Sequence, residues 1–189
     1  MAIYTIFAGV NGAGKTSIYE SIYCERDKNE KRINTDEMVA RIGSWKDSNL
    51  QIKCEREAVK LINYYIKNNI SFNQETTLSG KSIVRNIKKA KQEGFYVVMN
   101  YIGVDNPDVA KERVKIRVLK GGHGILEEAI ERRYYGSLDN LKEILGICNE
   151  INIYDNTNKF RHIAYICDGV IKWKRDIIPK WSSYILKYN

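Results

Sequence analysis

Apolar residues along this chain fall into short continuous runs and helical stripes that take turns. Residues 3–8, Ile-Tyr-Thr-Ile-Phe-Ala, are β-branched, aromatic or small and uncharged, the pattern of a parallel strand covered on both faces. Residues 15–24 contain neither Gly nor Pro and read as a helix. A short strand over 32–36 ends in Asp36, and a second over 70–75 ends in Glu75. Between them, residues 50–68 form a helix with Ile52, Ala58, Val59, Leu61, Ile62, Tyr65 and Ile66 as its apolar stripe. A helix over 80–93 stops at Gly94. The run Phe-Tyr-Val-Val-Met-Asn-Tyr-Ile over 95–102 gives the clearest strand in the middle of the chain.

Pro107 opens the next helix, which runs to about Leu119 and is broken by Gly121-Gly-His-Gly124. The pattern then predicts a helical pair over about 127–135 and 137–148, and a strand over 151–155. Residues 160–167, with the turn Asp168-Gly169, read as strands at a sheet edge. The tail, about 173–187, reads as a helix interrupted by Pro179. Alternating strands and helices predict an α/β fold, a mostly parallel sheet with both faces covered. The 189 residues suit one domain, with about 115–136 as a small helical lid. Ligands in such sheets bind beyond the carboxyl ends of the strands. Asp36, Glu75 and the glycine-rich segment after the first strand all fall at such ends.

Composition changes this picture little. Hydrophobic residues make up 43%, enough for a core, and the apolar runs are too short for a membrane span. The amino terminus lacks the pattern of a signal peptide, so the expected compartment is the cytoplasm. Cys24, Cys54, Cys148 and Cys167 are scattered, which favours buried free thiols over a disulfide or metal site. The net charge of +8 suits anionic ligands. Solvated surfaces around Lys88, Lys89, Lys91, Lys172, Lys174 and Arg175 account for much of it, so nucleic acid is not the expected partner.

Candidate chemistry is concentrated in Gly9-Val-Asn-Gly-Ala-Gly14-Lys15-Thr16, which fits the phosphate-binding pattern G-x-x-x-x-G-K-S/T. Gly9, Asn11, Gly12, Ala13 and Gly14 form a loop whose amides can surround an anion. Lys15 offers charge to the outer phosphates, Thr16 offers a hydroxyl to Mg²⁺, and Ser17 follows. Phosphoryl transfer also needs a carboxylate to take the acceptor's proton and cations for the developing charge. Asp36 is the candidate base, unless it serves as a helix N-cap, a role Thr35 could also fill. Glu75, followed by Thr76, Thr77 and Ser79, is the candidate for orienting metal-bound water or a substrate hydroxyl. Arg113, Arg117, Arg132 and Arg133 flank the glycine-rich break and can be delivered to a phosphate by lid closure. His123, set among glycines, is a candidate phosphate or substrate contact; His162 reads as a strand residue.

Taken in order, residues 9–17, Ile-Asn-Thr-Asp-Glu (33–37), Gln-Glu-Thr-Thr-Leu-Ser-Gly (74–80), Glu-Arg-Val (112–114), Gly-Gly-His-Gly-Ile (121–125), Arg-Arg-Tyr (132–134) and Tyr-Asp-Asn (154–156) resemble the zeta-toxin-like P-loop kinases. The likeness runs from residue 3 to about 170 and is strongest to the short, stand-alone branch of the family. It implies a P-loop kinase fold, ATP with Mg²⁺, and phosphorylation of a hydroxyl; in zeta toxins the acceptor is the sugar of UDP-N-acetylglucosamine. By position it makes Lys15 and Thr16 the phosphate and metal residues, Asp36 the catalytic aspartate, Glu75 the acid after the third strand and Arg113 the first phosphate-stabilising arginine. It sets Asn156, with Tyr154 and Asp155, near the adenine. It further implies a neutralising antitoxin partner. The chain departs from the family at the second arginine, for which Arg117 and Arg132 are the candidates. It also begins directly at the first strand, without the helical extension of some toxins, and ends before any long C-terminal domain.

The expectation is therefore an ATP- and Mg²⁺-dependent kinase acting on a small hydroxylated molecule, with a UDP-amino sugar as the leading acceptor. A nucleotide-dependent binding module, or a kinase for nucleosides or nucleic-acid ends, stays open at this point.

Overall fold

The computed structural model describes residues 1–23 and 31–187. Among the described residues, seven strands form one sheet in the order β2-β3-β1-β4-β5-β6-β7. They are β1 (Ile3–Ala8), β2 (Lys31–Ile33), β3 (Phe72–Thr76), β4 (Tyr96–Gly103), β5 (Glu150–Asp155), β6 (Arg161–Cys167) and β7 (Val170–Lys174). The first five run parallel, and β6 and β7 are antiparallel at one edge. The helices are α1 (Lys15–Ile18), continued by a π-helical turn (Tyr19–Tyr23), α2 (Thr35–Ile42), α3 (Ser48–Lys67), α4 (Lys81–Gln92), α5 (Pro107–Leu119), α6 (Glu127–Ile144) and α7 (Lys180–Leu186). This is the doubly covered, mostly parallel α/β sheet that the alternating pattern predicts. None of the described helices is long and apolar enough to cross a membrane.

Two clusters form the core. Tyr4, Ile6, Met99, Tyr101, Ile151 and Ile153 face α3, α4, α6 and α7 on one side of the sheet. Phe7, Ile102 and Val104 meet Ala110, Val114, Ile130 and Tyr134 on the other. β1 is the middle one of the five parallel strands; the chain goes to β2 and β3 on one side of it and to β4 on the other. That reversal opens a crevice beyond its carboxyl end.

Several local expectations change. The strand over 32–36 ends at Ile33, because Asn34 caps α2 and Asp36 already lies in that helix. The helix over 15–24 becomes a short α-helix and a π-helical turn, and its last residue, Cys24, lies outside the described residues. Ile52 and Val59 do not join the core: they are half-exposed, while Cys54, Ala58, Ile62 and Ile66 form the buried stripe of α3. The helical pair at 127–148 is one helix through Gly136, where a side chain would press on the Ser79 carbonyl at 3.2 Å. The missing side chain lets α6 approach the β3–α4 connection, which Asn140 grips through the carbonyls of Leu78 (2.7 Å) and Gly80 (3.2 Å). The tail is helical only after Pro179; Trp173 and Lys174 belong to β7. Cys54 and Cys148 are buried thiols as expected, and burial pushes the Cys148 thiol up to about 12, with Lys91 opposing.

The C-terminal helix is fixed by one buried carboxylate. Asp155, at the tip of β5, accepts from the Trp181 indole (3.0 Å), the Thr157 hydroxyl (2.6 Å) and Arg161 (2.8 Å). Trp181 in turn fills the space above Gly103, where an added Cβ would lie 2.2 Å from its ring. Burial alone would raise the Asp155 pKa, but these three hydrogen bonds and the Arg161 charge hold it below the ordinary value. A depressed carboxylate stabilises the fold above its unfolded pKa, and that contribution fades as pH falls through the folded value. Asp155→Asn is expected to cost about 2–4 kcal/mol at pH 7. The difference from wild type should shrink below about pH 4. Urea unfolding at pH 7 and pH 3 measures both.

Candidate active site

The loop between β1 and α1 turns on glycines that no other residue replaces. Gly9 has φ +142°, and a Cβ there would sit 2.2 Å from the Ile102 carbonyl oxygen. Gly14 has φ +98°, and its Cβ would meet Asn156 Nδ2 at 2.6 Å. It enters α1 as a left-handed N-cap with no side-chain hydrogen bond, so no side chain competes there with an anionic ligand for the helix amides. The loop is braced from behind. Asn156 donates to the Ala13 carbonyl (2.9 Å), and Arg113 joins the Thr157 (2.8 Å) and Gly12 (3.5 Å) carbonyls. Both were expected at the nucleotide; in this structure their hydrogen bonds shape the loop.

Lys15 is buried, with Nζ donating to the Val10 carbonyl at 3.2 Å. Burial pushes its amine below the ordinary value; Glu75 and Asp36 pull it back, and Arg117 and Arg133 push it further down. Two cations and two acids thus act on the Lys15 amine. The exposed Thr16 hydroxyl lies 3.0 and 3.1 Å from the two Glu75 oxygens. Ser17 follows it, exposed. Glu75 also accepts from Asn34 Nδ2 (3.0 Å) and Arg32 Nη2 (2.8 Å).

Asp36 is free of capping duty because the Asn34 side chain accepts from the amides of Asp36 (3.0 Å) and Glu37 (3.4 Å). Its side chain is 41% exposed and lies 3.6 Å from His123 Nε2. Burial lowers the His123 pKa, Asp36 opposes, and Arg117 and Arg133 add to the fall, so the ring is neutral at pH 7. His123 is held among the glycines by Trp45, with ring centroids 5.7 Å apart. Gly122 lies against the Arg117 stem, whose Nε and Nη2 are buried without a protein partner.

Part of this set borders a crevice of about 750 Å³. Asn11, Lys15, Asp36, Glu75, His123 and Arg133 form its phosphate-loop end, and Thr76 and Thr77 lie beside them. Thr76 Oγ1 accepts from the Leu78 amide (3.1 Å) and Thr77 pairs with Ser79 (2.9 Å), so both hydroxyls also shape their turn. The crevice continues along α3 and the start of α4, past Gln51, Ile52, Arg56, Val59, Ser82 and Asn86. The two half-exposed apolar residues of α3 are therefore walls of this cavity.

Arg132 is exposed and does not line the crevice; its neighbour Arg133 does, donating to Asn11 Oδ1 at 3.1 Å. A helical wheel over an unbroken 127–144 would have separated the two, since Arg133 lies beside buried Ile130, Tyr134 and Ser137. Asn34 was legible too, as a capping residue before two acids. Arg32 carries no local signal: its partners Glu37, Asn73 and Glu75 meet only in the folded sheet. Among the described residues there is no group of three or more His, Cys, Asp or Glu suited to a metal ion.

The sequence profile of the zeta toxin family matches residues 3–164. An uncharacterized protein of Haemophilus influenzae (strain ATCC 51907 / DSM 11121 / KW20 / Rd) is 36% identical over 128 residues, 68% of this chain and 89% of its own. The solved AvrRxo1-ORF1:ORF2 structure with ATP has a chain that superimposes with a TM-score of 0.71 at 12% identity, over 91% of this chain and 60% of that one. The present chain thus spans three fifths of that neighbour. A chain from the PezAT chromosomal toxin–antitoxin system of Streptococcus pneumoniae gives a TM-score of 0.61 at 20% identity, over 86% and 70% of the two chains. At these identities the two solved structures establish a shared fold.

A buried ammonium with one carbonyl partner costs stability, and an apolar side chain of similar length removes that cost. Lys15→Met is expected to raise the thermal unfolding midpoint by about 2–6 °C. The same variant should lose the further rise that tripolyphosphate gives the wild type. Thermal melts with and without tripolyphosphate check both.

Proposed function

This chain belongs to the zeta toxin family, P-loop phosphotransferases that use ATP, and on that premise we propose that it moves the γ-phosphoryl group of ATP to a hydroxyl of a small, anionic acceptor, with a UDP-amino sugar as the leading case. The observation that carries the reading is the continuity of one cavity. It runs from the phosphate loop and the free carboxylate of Asp36 to a second arm on α3, so a donor and an acceptor fit end to end. The cavity falls within the usual range for small-molecule sites. Its far arm mixes Arg56, Lys60 and Glu55 with Gln51, Ser82 and Asn86, a polar lining suited to a hydroxyl-rich molecule that carries phosphate.

The residues present also fit a magnesium nucleotide. Thr16 and Glu75 offer the hard oxygen donors Mg²⁺ prefers, and one or two such groups suffice when phosphates supply the rest. When bound, the metal neutralises charge on the transferring phosphate. In the chemical step, Asp36 takes the acceptor's hydroxyl proton as its oxygen bonds to the γ-phosphorus, the bond to the β–γ bridging oxygen breaks, and ADP leaves. Lys15 and Arg133 hold positive charge where negative charge develops, and Arg117 adds to the same field. His123 lies on one side of Asp36, 3.6 Å away, and leaves the carboxylate 41% exposed to the crevice. The need for ATP puts the reaction in the cytosol, and a protein antitoxin is the expected restraint on it.

Asp36→Asn should lower the rate of acceptor phosphorylation by about 10²–10⁴-fold while leaving the ATP KM near the wild-type value. Labelled ATP with a panel of nucleotide sugars, free sugars and nucleosides measures this and identifies the acceptor. Unchanged turnover in the variant overturns the assigned base. Expression that arrests growth, with relief by Lys15→Ala, tests the toxin role.

A further inference from the structure

We propose that Arg32 is a positioning residue that fixes the Glu75 carboxylate against Thr16, so that one orientation of the acid faces the metal-bearing phosphates. The inference rests on the reading of Glu75 as the metal-facing acid. Arg32 lies on β2, far in sequence from the phosphate loop, and no motif marks it. Its guanidinium is nevertheless used on every side. Nη2 pairs with Glu75 Oε2 at 2.8 Å and with Glu37 Oε1 at 2.9 Å. Nε reaches Glu37 Oε1 at 3.1 Å, and Nη1 reaches Asn73 Oδ1 at 3.2 Å. Its Cζ lies 3.6 Å from the centroid of the Tyr19 ring. The Arg32 and Glu75 side chains are 13% and 9% exposed, so water does little to screen the pair.

The contacts divide the labour around Glu75. Oε2 is saturated by Arg32, Asn34 and Thr16, whereas among the described residues Oε1 takes only the Thr16 hydroxyl. Arg32 therefore pins one oxygen and leaves the other available at the crevice. It offsets the cost of holding a carboxylate in a largely dry place, close to Asp36 and Glu37. The Tyr19 stack extends the hold to the phosphate loop itself. Tyr19 begins the π-helical turn, three residues after Thr16, and packs edge-on against Phe7 with ring centroids 5.4 Å apart. One planar cation thus registers the loop helix, the tip of β3 and the first turn of α2 around a single acid. A lysine could match the charge but not the fork or the stack.

The test is the magnesium dependence of ATP affinity, measured by calorimetry on the full chain once with Mg²⁺ and once with a chelator. Wild type should bind more tightly with Mg²⁺. In Arg32→Met this metal increment should shrink by about 10–100-fold, with the metal-free affinity held within about twofold. Arg32→Lys should recover part of the increment, and Tyr19→Leu should lose part of it. If Arg32→Met does not fold, those two variants decide the question in the same two arms. An increment retained by the variants, or a parallel loss in both arms, overturns the positioning role alone. A wild-type chain with no metal increment overturns the magnesium-kinase reading, and this inference with it.

Discussion

A single positive charge, brought into the protein interior on Lys15, sets the terms for the structure around it. Burial penalises that charge, and one carbonyl from Val10 does not repay the lost hydration. Asp36 and Glu75 offset part of the penalty, while Arg117 and Arg133 increase it. The site as it stands thus concentrates more cationic character than its own acids neutralise, which is the electrostatic state that favours a polyanionic ligand. Backbone shape is fixed in the same place. Glycines at dihedrals closed to other residues carry the loop beneath Ile102, and Asn156 and Arg113 hold it from behind.

The rest of the fold keeps this arrangement rigid. Asp155 sits beside Asn156 and anchors Trp181, so the docking of the C-terminal helix and the shape of the phosphate loop share one strand tip. On the other flank, Gly136 and Asn140 bring α6 against the connection that carries Thr76 and Thr77, and the same helix presents Arg133 to the crevice. The two acids differ in freedom. Glu75 is held by Thr16, Asn34 and Arg32, whereas Asp36 is half-exposed and meets His123 at 3.6 Å. A fixed acid suits positioning, and a freer one suits taking up a proton.

Legibility followed the range of the interactions. The parallel strands β1, β3, β4 and β5, the glycine loop and α5, which starts at Pro107 and ends at Leu119, are set by neighbours in sequence, and these were readable. The errors occurred where a distant surface decided. Ile52 and Val59 fit a core stripe by spacing, yet they line a cavity because, among the described residues, no element packs over them. Gly136 reads as a helix breaker until Ser79 is seen to need the space. Arg132 and Arg133 are indistinguishable as a dipeptide, and only the helix orientation sends one to solvent and the other to Asn11.

The amino-acid order by itself therefore determined the sheet class, the glycine loop after β1 and the placing of Glu75 at the end of β3, since backbone preference and apolar period are local properties. Which carboxylate is immobilised and how the far arm of the cavity is walled were decided only by tertiary structure. Those outcomes depend on contacts between residues tens of positions apart, such as Thr16 with Glu75 and Arg32 with Glu75, and no local pattern encodes such distances.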